Sequence, residues 1–179
     1  MAYRGSKIQK ITQCALFAAI ICALSPWCIM LGPVPITLSL FAVVFTGSVL
    51  PVKKAFAAVC VYILLGAVGL PVFSGFQGGA AALIGLTGGF IWSYAAVVFP
   101  VALSNQKSIG VRLVTGLSAL GICYAAGTVQ YMLVSRTSSV LRALAVCVAP
   151  FLIFDVIKII TALIIGKKMR ILLKKQNLI

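Results

Sequence analysis

Of the 179 residues, 63% are hydrophobic and only 9% are charged, against roughly a quarter charged in a soluble domain. A mean hydropathy of +1.20, with 16 Gly and 7 Pro spread through apolar runs, excludes disorder, coiled coil and collagen. The formal charge of +14, from 15 basic residues and one acid, would in a soluble chain suggest nucleic acid. Here the cations stand between apolar runs, so the chain reads as an all-α integral membrane protein that binds no nucleic acid.

The length accommodates about six spans at roughly 20 residues each, forming a single domain over 1–179. In chain order the apolar runs are 11–31, 36–50, 55–70, 83–103, 111–134 and 143–166. The second and third are short for a span, which predicts that flanking residues extend them, that the bilayer is thinned there, or that they border an internal cavity. A β-barrel would alternate apolar and polar residues within segments of about 10, and these runs are continuous. With the N-terminus in the cytoplasm, twelve of the fifteen basic residues fall inside: Arg4, Lys7, Lys10, Lys53, Lys54, Lys107, Arg112, Lys167, Lys168, Arg170, Lys174 and Lys175. Arg136 and Arg142 fall outside, and Lys158 lies within the sixth run. The positive-inside rule therefore predicts both termini in the cytoplasm. The basic C-terminal tail reads as an orientation signal with some attraction to anionic lipid.

The first run could also be read as a cleaved signal peptide, since Arg4, Lys7 and Lys10 precede an apolar stretch ending at Ala23-Leu24-Ser25. Against that, the apolar character continues past Pro26 to Leu31, and loss of the span would undo the charge asymmetry. The six cysteines, Cys14, Cys22, Cys28, Cys60, Cys123 and Cys147, lie singly and in no metal-ligand spacing, so they read as small packing residues. No phosphate-binding GxxxxGK[ST] loop is present. With no histidine and one carboxylate, neither a His-bearing triad nor a carboxylate pair can be formed. The sequence predicts no enzyme and no cofactor, so energy for any active transport must come from a partner or an ion gradient.

The remaining chemistry is concentrated in a few places. Asp155 and Lys158, in Phe151-Leu-Ile-Phe-Asp-Val-Ile-Lys158, share one helical face at spacing i, i+3. Each alone costs on the order of 2.5–3.5 kcal/mol at the bilayer centre, so they face the bundle interior, either as a packing ion pair or as an anchor for a small solute. The glycine-rich connection Gly69-Leu-Pro-Val-Phe-Ser-Gly-Phe-Gln-Gly-Gly79 reads as a loop folded over a cavity, with exposed backbone polar groups at Gln77, Gly78 and Gly79 and apolar walls from Phe73 and Phe76. Pro33-Val-Pro-Ile-Thr37 is a stiff turn. Ala15, Ala19 and Ala23, at i, i+4 and i+8, form a small-residue stripe suited equally to intramolecular packing or to a docking partner. Tyr94, Tyr124, Gln77 and Gln130 are further candidate polar groups.

Taken in order, Gly32-Pro-Val-Pro-Ile-Thr37, Gly66-x-x-Gly-Leu-Pro-Val-Phe73, Gly78-Gly79, Thr87-Gly-Gly89 and Asp155-x-x-Lys158 resemble the BioY family over nearly the whole chain. These are the biotin-capturing S components of energy-coupling factor (ECF) transporters. The resemblance implies a six-helix S-component bundle in the bacterial inner membrane, with biotin held beneath the first and third external connections. It implies ligand roles for Asp155 and Lys158, with Thr37, Phe73, Phe76, Gln77, Gly78, Gly79 and Tyr124 as companions. Ala15, Ala19 and Ala23 match the family's docking ladder for a transmembrane coupling subunit, itself driven by two ATPase subunits, so ATP acts only through partners. The chain departs from the family pattern at Ser39, where an amide is common, and at Leu86 and Phe90, where Pro and Tyr are common. Each polar group lost alters the pocket, which keeps an S component or solitary carrier for another vitamin, and a non-transporting membrane scaffold, as the rival readings.

Overall fold

The computed structural model of the protein describes residues 7–30 and 33–176. Arg4 of the N-terminal basic cluster, Leu31 at the end of the first expected span, and Gly32 of the first motif lie outside the described residues.

Helix α1 (Lys7–Leu24) begins among basic residues and stops just before Pro26, whose ring and missing N–H end a helix. A small antiparallel hairpin follows, β1 (Cys28–Met30) against β2 (Pro35–Thr37), in the register Cys28↔Thr37 and Met30↔Pro35. Helices α2 (Ser39–Val49) and α3 (Val52–Ala67) are separated at Leu50-Pro51, both extended. After α3 the chain turns at Gly69 (φ +107) and runs through a single 3-10 turn, Ser74–Phe76, to the short helix α4 (Ala80–Ile84). Helices α5 (Gly88–Leu103) and α6 (Ile109–Ser135) form an antiparallel pair, and α7 (Val140–Cys147) leads into α8 (Leu152–Lys175).

Helix α2 occupies the middle of the bundle, buried over most of its length and packed on α8, α5, α1 and α3. A helix that is apolar all round is stable only where neighbours cover every face, and this accounts for the short second run. Its 11 residues rise about 16 Å, too little to cross a hydrocarbon core of about 30 Å alone. Its first turn meets an internal cavity, as the sequence allowed. By length and composition α1, α5 and α6 suffice for a membrane span, and α7 with α8 makes a fourth if the bent pair counts as one.

The sixth expected span is not continuous. Helices α7 and α8 meet at a 51° bend, because Pro150 cannot donate to the helix and crowds the carbonyl four residues back. Asp155, expected near mid-span, therefore stands in the first turn of α8, where the helix dipole favours a carboxylate. Helix α8 runs on to Lys175 and so carries Lys167, Lys168, Arg170, Lys174 and Lys175 beyond the expected end at 166.

Candidate functional site

The bend places α8 against a cavity whose walls come from six helices, the hairpin and the glycine-rich loop. Pro35, Ile36 and Thr37 of β2, with Ser39 and Leu40 of α2, form one side. Tyr62 of α3, Thr87, and Phe90, Ile91 and Tyr94 of α5 form the second, while Cys123 and Tyr124 of α6, Cys147 of α7, and Phe151 and Asp155 close the third. Val34 and Ser74 complete the rim. The lining is mainly aromatic and aliphatic, with a few hydroxyls and one carboxylate. That is the composition of a site for a small, largely apolar ligand fixed by a few polar contacts.

The carboxylate is the centre of its chemistry. Asp155 is 8% exposed. Its Oδ1 pairs with Lys158 Nζ at 2.8 Å, one helical turn along α8, and its Oδ2 accepts the Tyr124 hydroxyl at 2.9 Å. Two donors from two helices fix the carboxylate plane, while a carboxylate offers about four acceptor positions. Asp155 thus retains lone pairs for N–H donors of a ligand entering the cavity. Lys158 is reached through Asp155 and does not line the wall.

Thr37, Tyr124 and Asp155 are the sequence candidates that the fold brings together on this cavity; Tyr94 joins them, and so do Ser39 and Phe90, two of the three positions that depart from the family pattern. Gln77 and Gly78 instead line a second, outer cavity with Met30, Pro33, Ala81, Ala82, Gly85 and Leu86; Pro35, Ser74 and Thr87 are shared, so they partition the two. Gly79, at φ +90, donates its N–H to Gly66 O at 2.7 Å and anchors the loop to the end of α3. Gln130 faces neither cavity. Its Nε2 donates to Leu83 O at 2.9 Å and Gly85 O at 2.8 Å and holds α4 against α6.

The two loop phenylalanines are not cavity walls. Phe73 is buried under the loop, edge-on to Tyr62 with ring centroids 5.6 Å apart. It sits directly on Gly66, where a Cβ would lie 2.1 Å from the ring. Phe76 follows Gly75 with a positive φ of its own (+58), a left-handed turn that sends it outward to stand edge-on to Trp27. Ala15, Ala19 and Ala23 are exposed along one side of α1, while Phe17, Ala18 and Ile21 supply its buried face. The stripe therefore does not serve packing within the bundle.

Tyr62, Ser74, Cys123, Cys147 and Phe151 were not singled out as cavity residues by the sequence. Only Tyr62 carried a signal, being a hydroxyl-bearing aromatic in an apolar helix, a type that seeks a polar partner when buried. Among the described residues no group of three or more His, Cys, Asp or Glu could hold a metal.

A helical bundle with spans of this kind and a partly open internal cavity carrying one positioned carboxylate defines a membrane protein built to hold a small solute. The comparisons agree. The BioY family model matches residues 1–175, and the chain belongs to the BioY family. Among relatives, the biotin transporter BioY of Thermotoga maritima is 36% identical over 165 residues, spanning 91% of this chain and 96% of its own. A probable biotin transporter BioY of Pyrococcus horikoshii is 35% identical over 92% of this chain and 98% of its own. The solved S-component for biotin from an ECF-type ABC transporter shares the fold, with a TM-score of 0.81 at 24% identity, over 92% of each chain.

Proposed function

We propose that this protein takes up biotin, as the membrane subunit that captures the vitamin outside the cell and carries it to the cytoplasm. It is a transporter and not an enzyme, in keeping with the transporter relatives. The observation that carries the reading is Asp155, held on the cavity by Lys158 and Tyr124. Biotin brings a bicyclic apolar body, two ureido N–H donors and a valerate carboxylate. The ureido donors bind Asp155, since the like charge of the valerate is repelled from it. The ring system lies among Tyr62, Phe90, Tyr94 and Phe151. The valerate points toward the outer cavity, where the backbone at Gln77 and Gly78 is its nearest neighbour.

In this reading the chain crosses a bacterial cytoplasmic membrane six times, with both termini inside. The bent α7–α8 pair counts as one crossing, and the short α2 and α3 are completed by their flanks. The charge asymmetry supports the orientation. The exposed Ala15, Ala19 and Ala23 stripe receives a membrane coupling subunit, and two ATPase subunits drive the cycle, so the chain itself holds no nucleotide. Equilibrium binding to the purified protein, with desthiobiotin, biotin amide, thiamine and riboflavin as comparators, tests the assignment. Biotin and desthiobiotin should bind, the amide should bind more weakly, and the other vitamins should not. A folded protein that binds none of them overturns it.

A further inference from the structure

The end of the bundle opposite the Asp155 cavity carries one buried and one half-buried guanidinium that no carboxylate among the described residues neutralises. Arg112, in the first turn of α6, is 1% exposed; its Nη2 donates to Leu163 O at 3.3 Å and its Nε has no hydrogen-bond partner. Arg170 of α8 donates from Nη1 to Val49 O at 2.7 Å, and its Nε is also buried without a partner. The two charges lie within electrostatic reach of each other. The chain's one acid, Asp155, is engaged by Lys158 and Tyr124 and stands about 22 Å away along α8 at about 1.5 Å per residue. Like charges that share a poorly solvated site without a counter-ion repel and are costly to bury.

Arg170 also lines an open cavity with Pro51, Val52, Asn105, Gln106 and Lys107. Asn105 donates from Nδ2 to Gly47 O at 2.7 Å and to Leu50 O at 3.1 Å, which leaves its Oδ1 turned away, buried and unpartnered. The walls of one cavity thus bring together a guanidinium and a side-chain amide, each with one buried polar atom left unpaired, a lysine at the rim, and an apolar side formed by Pro51 and Val52. Guanidinium groups match phosphate oxygens in geometry as well as charge, and basic pockets between helices at a membrane face are suited to lipid headgroups.

We propose that this cavity binds the phosphate diester of an anionic lipid with a hydroxyl-bearing headgroup, of the phosphatidylglycerol type. Arg170 and Lys107 hold the phosphate, Asn105 Oδ1 accepts from a headgroup hydroxyl, and Arg112 adds positive potential from behind. The inference requires only that α6 and α8 lie in a membrane and is independent of the biotin assignment.

The test uses the full chain, delipidated in a neutral detergent and kept free of biotin. Native mass spectrometry and thermal melts are run with phosphatidylglycerol, phosphatidylcholine or inorganic phosphate. Phosphatidylglycerol should be retained as one tightly held molecule and should raise the melting temperature, while phosphatidylcholine and inorganic phosphate should do neither. Arg170→Gln should weaken that retention about tenfold, as expected for loss of a charge-assisted hydrogen bond, with a smaller weakening in Lys107→Gln and none in Lys175→Gln on the tail. Equal retention by all three variants would mean diffuse attraction to the basic tail and would overturn the site. A shift reproduced by inorganic phosphate alone would overturn the lipid as occupant. Should Arg170→Gln not fold, Lys107→Gln against Lys175→Gln decides the matter, because Lys107 is an exposed rim residue.

Discussion

Removing Lys158 separates a ligand anchor from a packing device. The pair is 2.8 Å apart, with side-chain exposures of 13% and 12%. At that distance, with an effective dielectric of about 20, the gross attraction is roughly 6 kcal/mol. Desolvation offsets most of it, so the native pair contributes little net stability, but deleting one partner strands the other. For buried pairs that costs roughly 3–5 kcal/mol, and the residual exposure here argues for the low end. Lys158→Ala should therefore lower the melting temperature by about 6–12 °C, at about 2–4 °C per kcal/mol for a chain of this size. Asp155→Asn with Lys158→Met should recover part of the loss, since no charge is left unpaired. Biotin affinity should fall by roughly 10- to 150-fold in Lys158→Ala, because Asp155 loses the partner that holds its carboxylate aligned, and a hydrogen bond to a charged group contributes roughly 1.5–3 kcal/mol. The assay is a thermal melt together with equilibrium biotin binding on the same preparation. Unchanged affinity in Lys158→Ala, despite the lower melting temperature, would reduce the pair to a helix-packing element and refute the anchoring argument.

Three other experiments probe the architecture around that pair. Gly66→Ala should destabilise the protein by roughly 1–3 kcal/mol through overpacking, since its Cβ would fall 2.1 Å from the Phe73 ring; thermal melts should show the loss, with partial recovery on adding Phe73→Leu. In a background with Cys14, Cys22, Cys28 and Cys60 replaced by serine, a small methanethiosulfonate should label Cys123 and Cys147 slowly, and biotin should slow it further because both thiols line the cavity; labelling indifferent to biotin would place the ligand elsewhere. Pro150→Ala should allow α7 and α8 to run on as one helix and should weaken biotin binding more than it affects thermal stability, while full affinity with the bend abolished would show that the bend does not shape the pocket.

Much of this was legible in the sequence, for identifiable reasons. Asp155 and Lys158 stood out because a charge inside an apolar run must be satisfied by a partner, and in the structure they satisfy each other. The glycine-rich loop was legible as a folded cover because Gly69, Gly75 and Gly79 all adopt positive φ, as clustered glycines suggest. Phe76 was read as a wall and is not one, because a left-handed backbone at a non-glycine residue has no local signature. Cys123, Cys147 and Phe151 were illegible as cavity residues, since an apolar side chain facing a ligand space and one facing a packed helix obey the same hydropathy. Pro150 was visible, but the apolar run continued across it, and hydropathy counts residues without registering a lost hydrogen bond.

The bend at Pro150 also connects the fold to the chemistry. A straight helix would place Asp155 in mid-helix, where backbone carbonyls and amides are all paired and a carboxylate gains nothing from the dipole. Starting α8 at Leu152 moves the same residue into a first turn, where the field of the helix stabilises negative charge. Tyr124 reaches it from α6, and Phe151, immediately before the helix, is left on the cavity wall. One proline therefore does three things at once: it ends α7 with Cys147 on the wall, begins α8 with the only acid close to its positive end, and leaves room between them for a ligand. The carboxylate is then held within an apolar bundle by a lysine one turn away, a tyrosine and the helix dipole, with acceptor positions still free for a solute. That division, with charge stabilised from behind and hydrogen bonding left open in front, is what distinguishes a binding carboxylate from a merely structural one.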